Sequence, residues 1–168
     1  SFPTRRSSDL LDIKERLGNQ AGMASSYGQL GTLAQDRGDY DTAETRYQQS
    51  LDIKERLGNQ AGMAASYHQL GMLAQPRGDY DTAETRHQQS LDINERLGNQ
   101  AGMAASHSQL AILRSAAGHR EAALPDHLTA LAIRLRLGVP QVRIDLRELQ
   151  TAEDELGRER LVELVEEH

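Results

Sequence analysis

Residues 51–64 read Leu-Asp-Ile-Lys-Glu-Arg-Leu-Gly-Asn-Gln-Ala-Gly-Met-Ala, and the same phrase begins at Leu11 and, with Asn94 in place of the lysine, at Leu91. Working outward from it, residues 11–50 and 51–90 align without a gap and differ at five of 40 positions. A third copy holds through Leu110 and then decays. Self-similarity at this period marks a chain of stacked supersecondary units, none of which buries its apolar face alone.

Each period carries the signals of helix, turn and helix. Asn19 is placed to cap a first helix, whose apolar residues Met23, Tyr27, Leu30 and Ala34 follow at spacings of four, three and four. Gly38 closes it, because glycine enters the left-handed region at low cost. Asp39 caps a second helix, with Asp41 and Glu44 near its positive end and Lys54 and Arg56 near its negative end. Its apolar stripe runs through Tyr40, Ala43, Tyr47, Ser50, Leu51, Ile53 and Leu57 before Gly58 stops it. The expected fold is all-α, a stack of antiparallel helix pairs.

The periodicity divides the chain into a preceding helix remnant at 11–18, repeats at 19–58, 59–98 and 99–138, the last degenerate, and a C-terminal capping hairpin at 139–168. Residues 1–10 share nothing with the rest. They read as a non-native segment resembling a translated sequencing adapter, and with the first Met at Met23 the chain reads as a fragment of a longer protein. In the third repeat Pro125 is expected to interrupt the second helix near its start. In the cap, Val142, Leu146, Leu149, Ala152 and Leu156 are expected on one side of a helix that Gly157 ends. A last short helix would turn Leu161, Leu164 and Val165 inward and leave Glu163, Glu166 and Glu167 outside.

Composition supports a thin continuous seam over a globular centre. Aromatics are 4% of the 168 residues, Trp is absent, and the one Phe is Phe2. A formal charge of −6 with lysine only at Lys14 and Lys54 offers no basic stripe for nucleic acid. Without Cys there is no disulfide framework, thiolate metal site or thiol nucleophile, which fits a cytoplasmic protein. No apolar run reaches the roughly 18 residues of a membrane span, so no membrane partner is expected.

The repeat resembles the tetratricopeptide repeat. The residues that carry the resemblance are Tyr27-x2-Leu30-Gly31, Gly38-Asp39-Tyr40 and Ala43-x3-Tyr47-x2-Ser50, then Tyr67-x2-Leu70-Gly71, Gly78-Asp79-Tyr80 and Ala83-x3-His87-x2-Ser90. Two departures stand out: Ala34 where the family prefers Tyr, and Glu55 where it often has Pro. Losing that Pro lets the second helix run on, and the 40-residue form is similar to repeats of kinesin light chains and of large bacterial signalling ATPases. The resemblance implies a right-handed superhelical solenoid whose first helices line a concave groove where peptides bind. The implied function is a protein-interaction module holding a peptide or helix of a partner; the alternative is a ligand-sensing arm of a multidomain ATPase or protease.

The five differences between the first two copies point to the ligand. They are Ser25/Ala65, Gly28/His68, Thr32/Met72, Asp36/Pro76 and Tyr47/His87. The first four are spaced three, four and four and so form one stripe on one helix. The third copy varies there too, with Ala105, Ser108, Ile112 and Ala116. Simple drift would also have altered the outer surfaces of the second helices, yet Gln48, Gln49, Asp52 and Glu55 recur as Gln88, Gln89, Asp92 and Glu95. The expected groove therefore comprises Ser25, Gly28, Thr32, Asp36, Ala65, His68, Met72, Pro76, Ala105, Ser108 and Ile112. Gly28, His68 and Ser108 stand where a carboxylate-clamping member has Lys, which argues against a chaperone adaptor.

Catalytic chemistry and cofactors are not expected. His87 and His127 are equivalent residues one repeat apart, about 8–10 Å if helices stack at ordinary distances. His68 and Met72 are four residues apart, but no carboxylate or second His joins them at helical spacing, so no metal site is expected. Asp39-Tyr40-Asp41 lacks the remaining ligands of a calcium loop, and Gly58-Asn59-Gln60-Ala61-Gly62 follows a helix, unlike a dinucleotide fingerprint. No nucleophile, base and orienting group assemble. Beginning at a repeat seam, the chain is expected to self-associate weakly through its N-terminal end.

Overall fold

The computed structural model describes residues 18–166 together with Asp9, Asp12 and Ile13. The other residues of segments 1–10 and 11–17, for which a non-native segment and a helix remnant were expected, lie outside the described residues. Residues 18–166 form eight α-helices: α1 (Gln20–Asp36), α2 (Tyr40–Arg56), α3 (Gln60–Ala74), α4 (Tyr80–Leu97), α5 (Gln100–Ala116), α6 (Arg120–Leu137), α7 (Val142–Leu156) and α8 (Arg158–Glu166). Two compact units divide inside α4, one ending at Ile93 and the other beginning at Asn94.

Local chemistry sets the helix bounds. The side chains of Asn19 and Asn59 accept the backbone N–H groups of Gly22 and Gly62 at 2.8 and 2.9 Å, and Asp39 and Asp79 accept those of Thr42 and Thr82. Each bond satisfies a donor that a helix start otherwise leaves open. Glycine at the third position after the cap is required by the cap itself: a Cβ on Gly22 would lie 2.8 Å from the Asn19 side chain. Between the helices, Gly38 and Gly78 take φ of 75° and 73°, where a side chain is strained. Pro76 changes the second copy. There α3 stops at Ala74 and Gln75–Arg77 form a 3-10 turn, because proline brings no N–H to the last helical turn.

In the first unit, α1 packs on α2 and α2 on α3. Ala34, Ala43, Tyr47, Leu51, Leu70 and Leu73 form one buried cluster, with Tyr40, Met63 and Tyr67 against it. Buried serines tie each pair across its seam. Ser50 Oγ donates to the Ala24 carbonyl at 2.7 Å, and Ser90 Oγ donates to that of Ala64 at 3.0 Å. Arg77, in the 3-10 turn, reaches back to Asp41 and to Glu44 of α2.

In the second unit, α5 packs on α6, and α6 packs on both helices of the terminal hairpin. Leu124 and Ala152 are buried together, with Leu149 and Leu156 beside them. Three expectations need correction here. Pro125 does not interrupt the helix; α6 runs unbroken from Arg120 to Leu137. Lying at the sixth residue, Pro125 forgoes one hydrogen bond near a helix end that is already open to solvent. Leu146 does not join the inward face of α7 but stands 52% exposed, while Asp145 beside it is 1% exposed. The cause is Arg134 of α6, whose guanidinium donates to Asp145 Oδ1, with Ser108 Oγ of α5 donating to the same oxygen. Rotating the helix to bury Leu146 would break that pair inside the protein, where an unpaired charge costs most. Val165 is likewise 45% exposed rather than inward; the side chains of Leu161 and Leu164 lie outside the described residues.

This register makes a direct prediction. Asp145→Ala strands Arg134 and should lower unfolding stability by about 3–5 kcal/mol, whereas Leu146→Ala should change it by no more than about 0.5 kcal/mol. Urea unfolding of both variants checks it; the reverse ranking would put Leu146 in the core.

Candidate functional site

The stripe of variable residues runs along the open sides of α1 and α3. Ser25, Thr32 and Asp36 of α1 are exposed and Gly28 is half-buried; Ala65 of α3 and Pro76 beyond it are exposed, with His68 and Met72 half-buried. Main-chain carbonyls tether two of the hydroxyls: Ser25 donates to Ala21 and Thr32 to Gly28, each at 3.2 Å. In the second unit Ala105 is half-buried and Ile112 exposed, but Ser108 is only 8% exposed. Its bond to Asp145 spends the hydroxyl inside the hairpin junction, so Ser108 presents little surface to a ligand.

The fifth difference, Tyr47/His87, lies off the stripe yet belongs to it structurally. Tyr47 is buried and its hydroxyl reaches out to Thr32 Oγ1 at 3.2 Å and Gln35 Oε1 at 2.9 Å. Its ring covers Gly31, where a Cβ would stand 2.6 Å from two ring carbons. In the second copy His87 covers Gly71 in the same way, and a Cβ there would lie 2.7 Å from its ring. The smaller ring leaves space that His68 enters, the two imidazoles meeting edge to face with centres 5.3 Å apart. Gln75 Nε2 lies 3.2 Å from His87 Nε2 and 3.9 Å from Met72 Sδ. Gly28/His68, Thr32/Met72 and Tyr47/His87 therefore act as one coupled exchange of packing around the open edge of the seam. Sequence spacing gave no sign of this, because eighteen residues lie between His68 and His87 and only the pairing of α3 with α4 joins them.

A second coupled exchange distinguishes the third copy. Arg46 and Arg86 sit over the rings of Tyr27 and Tyr67 at 5.8 and 5.7 Å, within cation–π range. At the same positions the third copy has His107 and Asp126, joined by a 2.7 Å contact from Nδ1 to Oδ1, and Arg114 also donates to Asp126. His107 is thus held by a carboxylate rather than simply packed in a tyrosine's place. Among the described residues no three His, Cys, Asp or Glu side chains gather as a metal site. No helix among them is long and apolar enough to cross a membrane.

Paired helices, repeated at one period and sealed by a ring over a small residue, define an all-α helical-repeat solenoid. Two models described as tetratricopeptide repeat match the chain, over residues 23–57 and 62–136, between them more than half of it. The protein belongs to the tetratricopeptide repeat family. Repeats of this family generally bind protein partners, and the fold is typically a non-catalytic scaffold. No curated protein sequence matches the chain. Among solved structures it is similar to a Podospora anserina putative kinesin light chain with nearly identical repeats, at TM-score 0.72 and 20% identity over 95% of this chain and 81% of that one. It is also similar to BtubC (BKLC) from P. vanneervenii, at TM-score 0.69 and 24% identity over 76% of this chain. The TPR domain of Arabidopsis FLU matches at TM-score 0.63 and 22% identity, over 68% of this chain and 95% of the domain. The chain spans 54% of the BtubC structure's length. At these identities the likeness is one of fold.

Burial makes the histidine pair acid-sensitive. His87 is 0% exposed, and burial, with the neighbouring His68 adding to it, pushes its pKa down from 6.5 to about 4. The folded protein holds the neutral ring while the unfolded chain protonates near pH 6.5. Its contribution is therefore complete above that pH and is lost as pH falls toward 4, by up to about 3 kcal/mol at 1.36 kcal/mol per pH unit. His68→Gly/Met72→Thr/His87→Tyr restores the residues of the first copy and should lose less stability than the parent between pH 7 and 4. Parallel unfolding curves at both pH values check this; an equal loss in both proteins would contradict it.

Proposed function

We propose that the stripe on α1 and α3 is the docking face for a peptide or helix of a protein partner, and that the chain serves as an interaction scaffold. One observation carries the reading. The first two copies are identical at their caps, closing glycines, tethering serines and outer second-helix surfaces, and they differ along one open stripe and at the ring beneath it. Family membership supports it, since the matching positions line the groove that tetratricopeptide repeats use for peptides. The residues offered are small, polar or thioether-bearing, with Asp36 the one charged group among the eight of the first two copies. Such a surface suits shallow contacts along an extended segment or one helix face.

Peptides selected against the intact chain from a random displayed library test the proposal. Thr32→Arg and Ala65→Arg place bulk on the stripe and should weaken a selected peptide at least tenfold, while Gln48→Arg and Gln88→Arg on the second helices should leave it within about twofold, the scale of a neutral contact. Equal losses from both sets, or loss from the second set alone, would move the docking face elsewhere.

A further inference from the structure

The cluster at His68, Met72, Gln75 and His87 has a chemistry that packing alone does not require. We propose that it is a binding site for a soft monovalent metal cation, Cu(I) or its redox-inert analogue Ag(I), with the two imidazoles and the Met72 thioether as ligands. In the sequence no carboxylate or second histidine stands at helical spacing from His68 and Met72. The fold supplies that histidine from α4, across the helix pair.

The geometry agrees with a three-coordinate ion. With N–metal bonds of roughly 2.0 Å, two imidazoles on a trigonal ion have ring centres about 5.5 Å apart; His68 and His87 stand at 5.3 Å with their planes 62° apart, so the half-buried His68 ring would turn to aim a nitrogen at the shared ion. Met72 follows His68 by one helical turn and so shares its face of α3. Its sulfur and His87 Nε2 lie 3.9 and 3.2 Å from a single atom, the Gln75 amide nitrogen, so one side chain contacts both ligand atoms and would give way when an ion enters. His87 is fully buried by its own helix pair and fixed against Gly71, which holds one ligand still, while half-buried His68 and Met72 keep a path from solvent. The ligand set is uncharged. Thioether and imidazole together favour Cu(I) over harder divalent ions, which seek carboxylate or water. All three ligands are absent from the first copy, which has Gly28, Thr32 and Tyr47 instead. The site would be installed once, at one point of an otherwise duplicated wall.

The two proposals share His68 and Met72, and His87, which is out of reach of any peptide, separates them. Anaerobic titration of the whole chain with Cu(I), in competition with a chromophoric Cu(I) chelator, measures affinity. Ag(I) followed by NMR locates the ion through the imidazole and methionine-methyl signals. The expected result is one equivalent bound, with His68, Met72 and His87 shifting together and His119 unmoved. Met72→Thr and His87→Tyr should each weaken binding at least tenfold, and His119→Ala should not. Both ligand substitutions install residues that the first copy already packs at those positions, and His68→Gly provides a third variant should either disturb folding. Shifts centred on other histidines, absence of saturable binding, or undiminished affinity in all three ligand variants would overturn the proposal. Retained affinity for a selected peptide in His87→Tyr would separate loss of the ion from loss of the docking face.

Discussion

A ring lying against a residue that has no side chain sets the separation of each helix pair in the first unit. Tyr47 covers Gly31 and His87 covers Gly71 so closely that a single added carbon would sit inside van der Waals contact. Protein interiors are packed too densely to absorb such a carbon without moving their neighbours. The close approach lets Ser50 and Ser90 reach main-chain carbonyls on the opposite helix. In the third copy the volumes shift together: alanine replaces the glycine at Ala111, and the smaller imidazole of His127 takes the ring position, both buried.

That constraint explains how near-identical copies can carry different surfaces. Caps, turns and tethering serines hold the pair, while the ring is read out at the open edge. A tyrosine there sends its hydroxyl to Thr32 and Gln35; a histidine stays inside, draws His68 inward, and places Gln75 between itself and Met72. Changes at buried and exposed positions are thus coupled: two of the four stripe positions, Gly28/His68 and Thr32/Met72, change together with the ring beneath them. Where the third copy decays, buried carboxylates replace the tyrosine seam: Asp126, held by His107 and Arg114, and Asp145, held by Arg134. Such pairs are costly to break and sensitive to geometry, which suits the junction to a terminal hairpin that must hold one register.

Most of the fold was legible in the residues because its signals are local. Asn19, Asn59, Asp39 and Asp79 begin helices by hydrogen bonds spanning three residues, and Gly38 and Gly78 end them by their own backbone angle. The remainder is decided by distant partners. Asp145 reads as a surface acid and Leu146 as core until Arg134 is brought against α7, and Pro125 reads as a break until the length of helix on both sides is known. The variable stripe was visible as a spacing, and its residues do lie along the open sides of α1 and α3. What lay beyond reach was depth: Ser108 turned inward to Asp145, and His87 turned inward to meet His68, are set by helix pairing rather than by periodicity.

The tightest test of this account is a double-mutant cycle on Gly31→Ala and Tyr47→Ala, followed by urea unfolding of the parent and three variants. The added methyl should cost about 1–3 kcal/mol beneath tyrosine and much less where the ring has been removed, with a coupling energy of at least about 1 kcal/mol between the two sites. Strictly additive costs would mean that the ring does not set the helix separation, and would contradict the account.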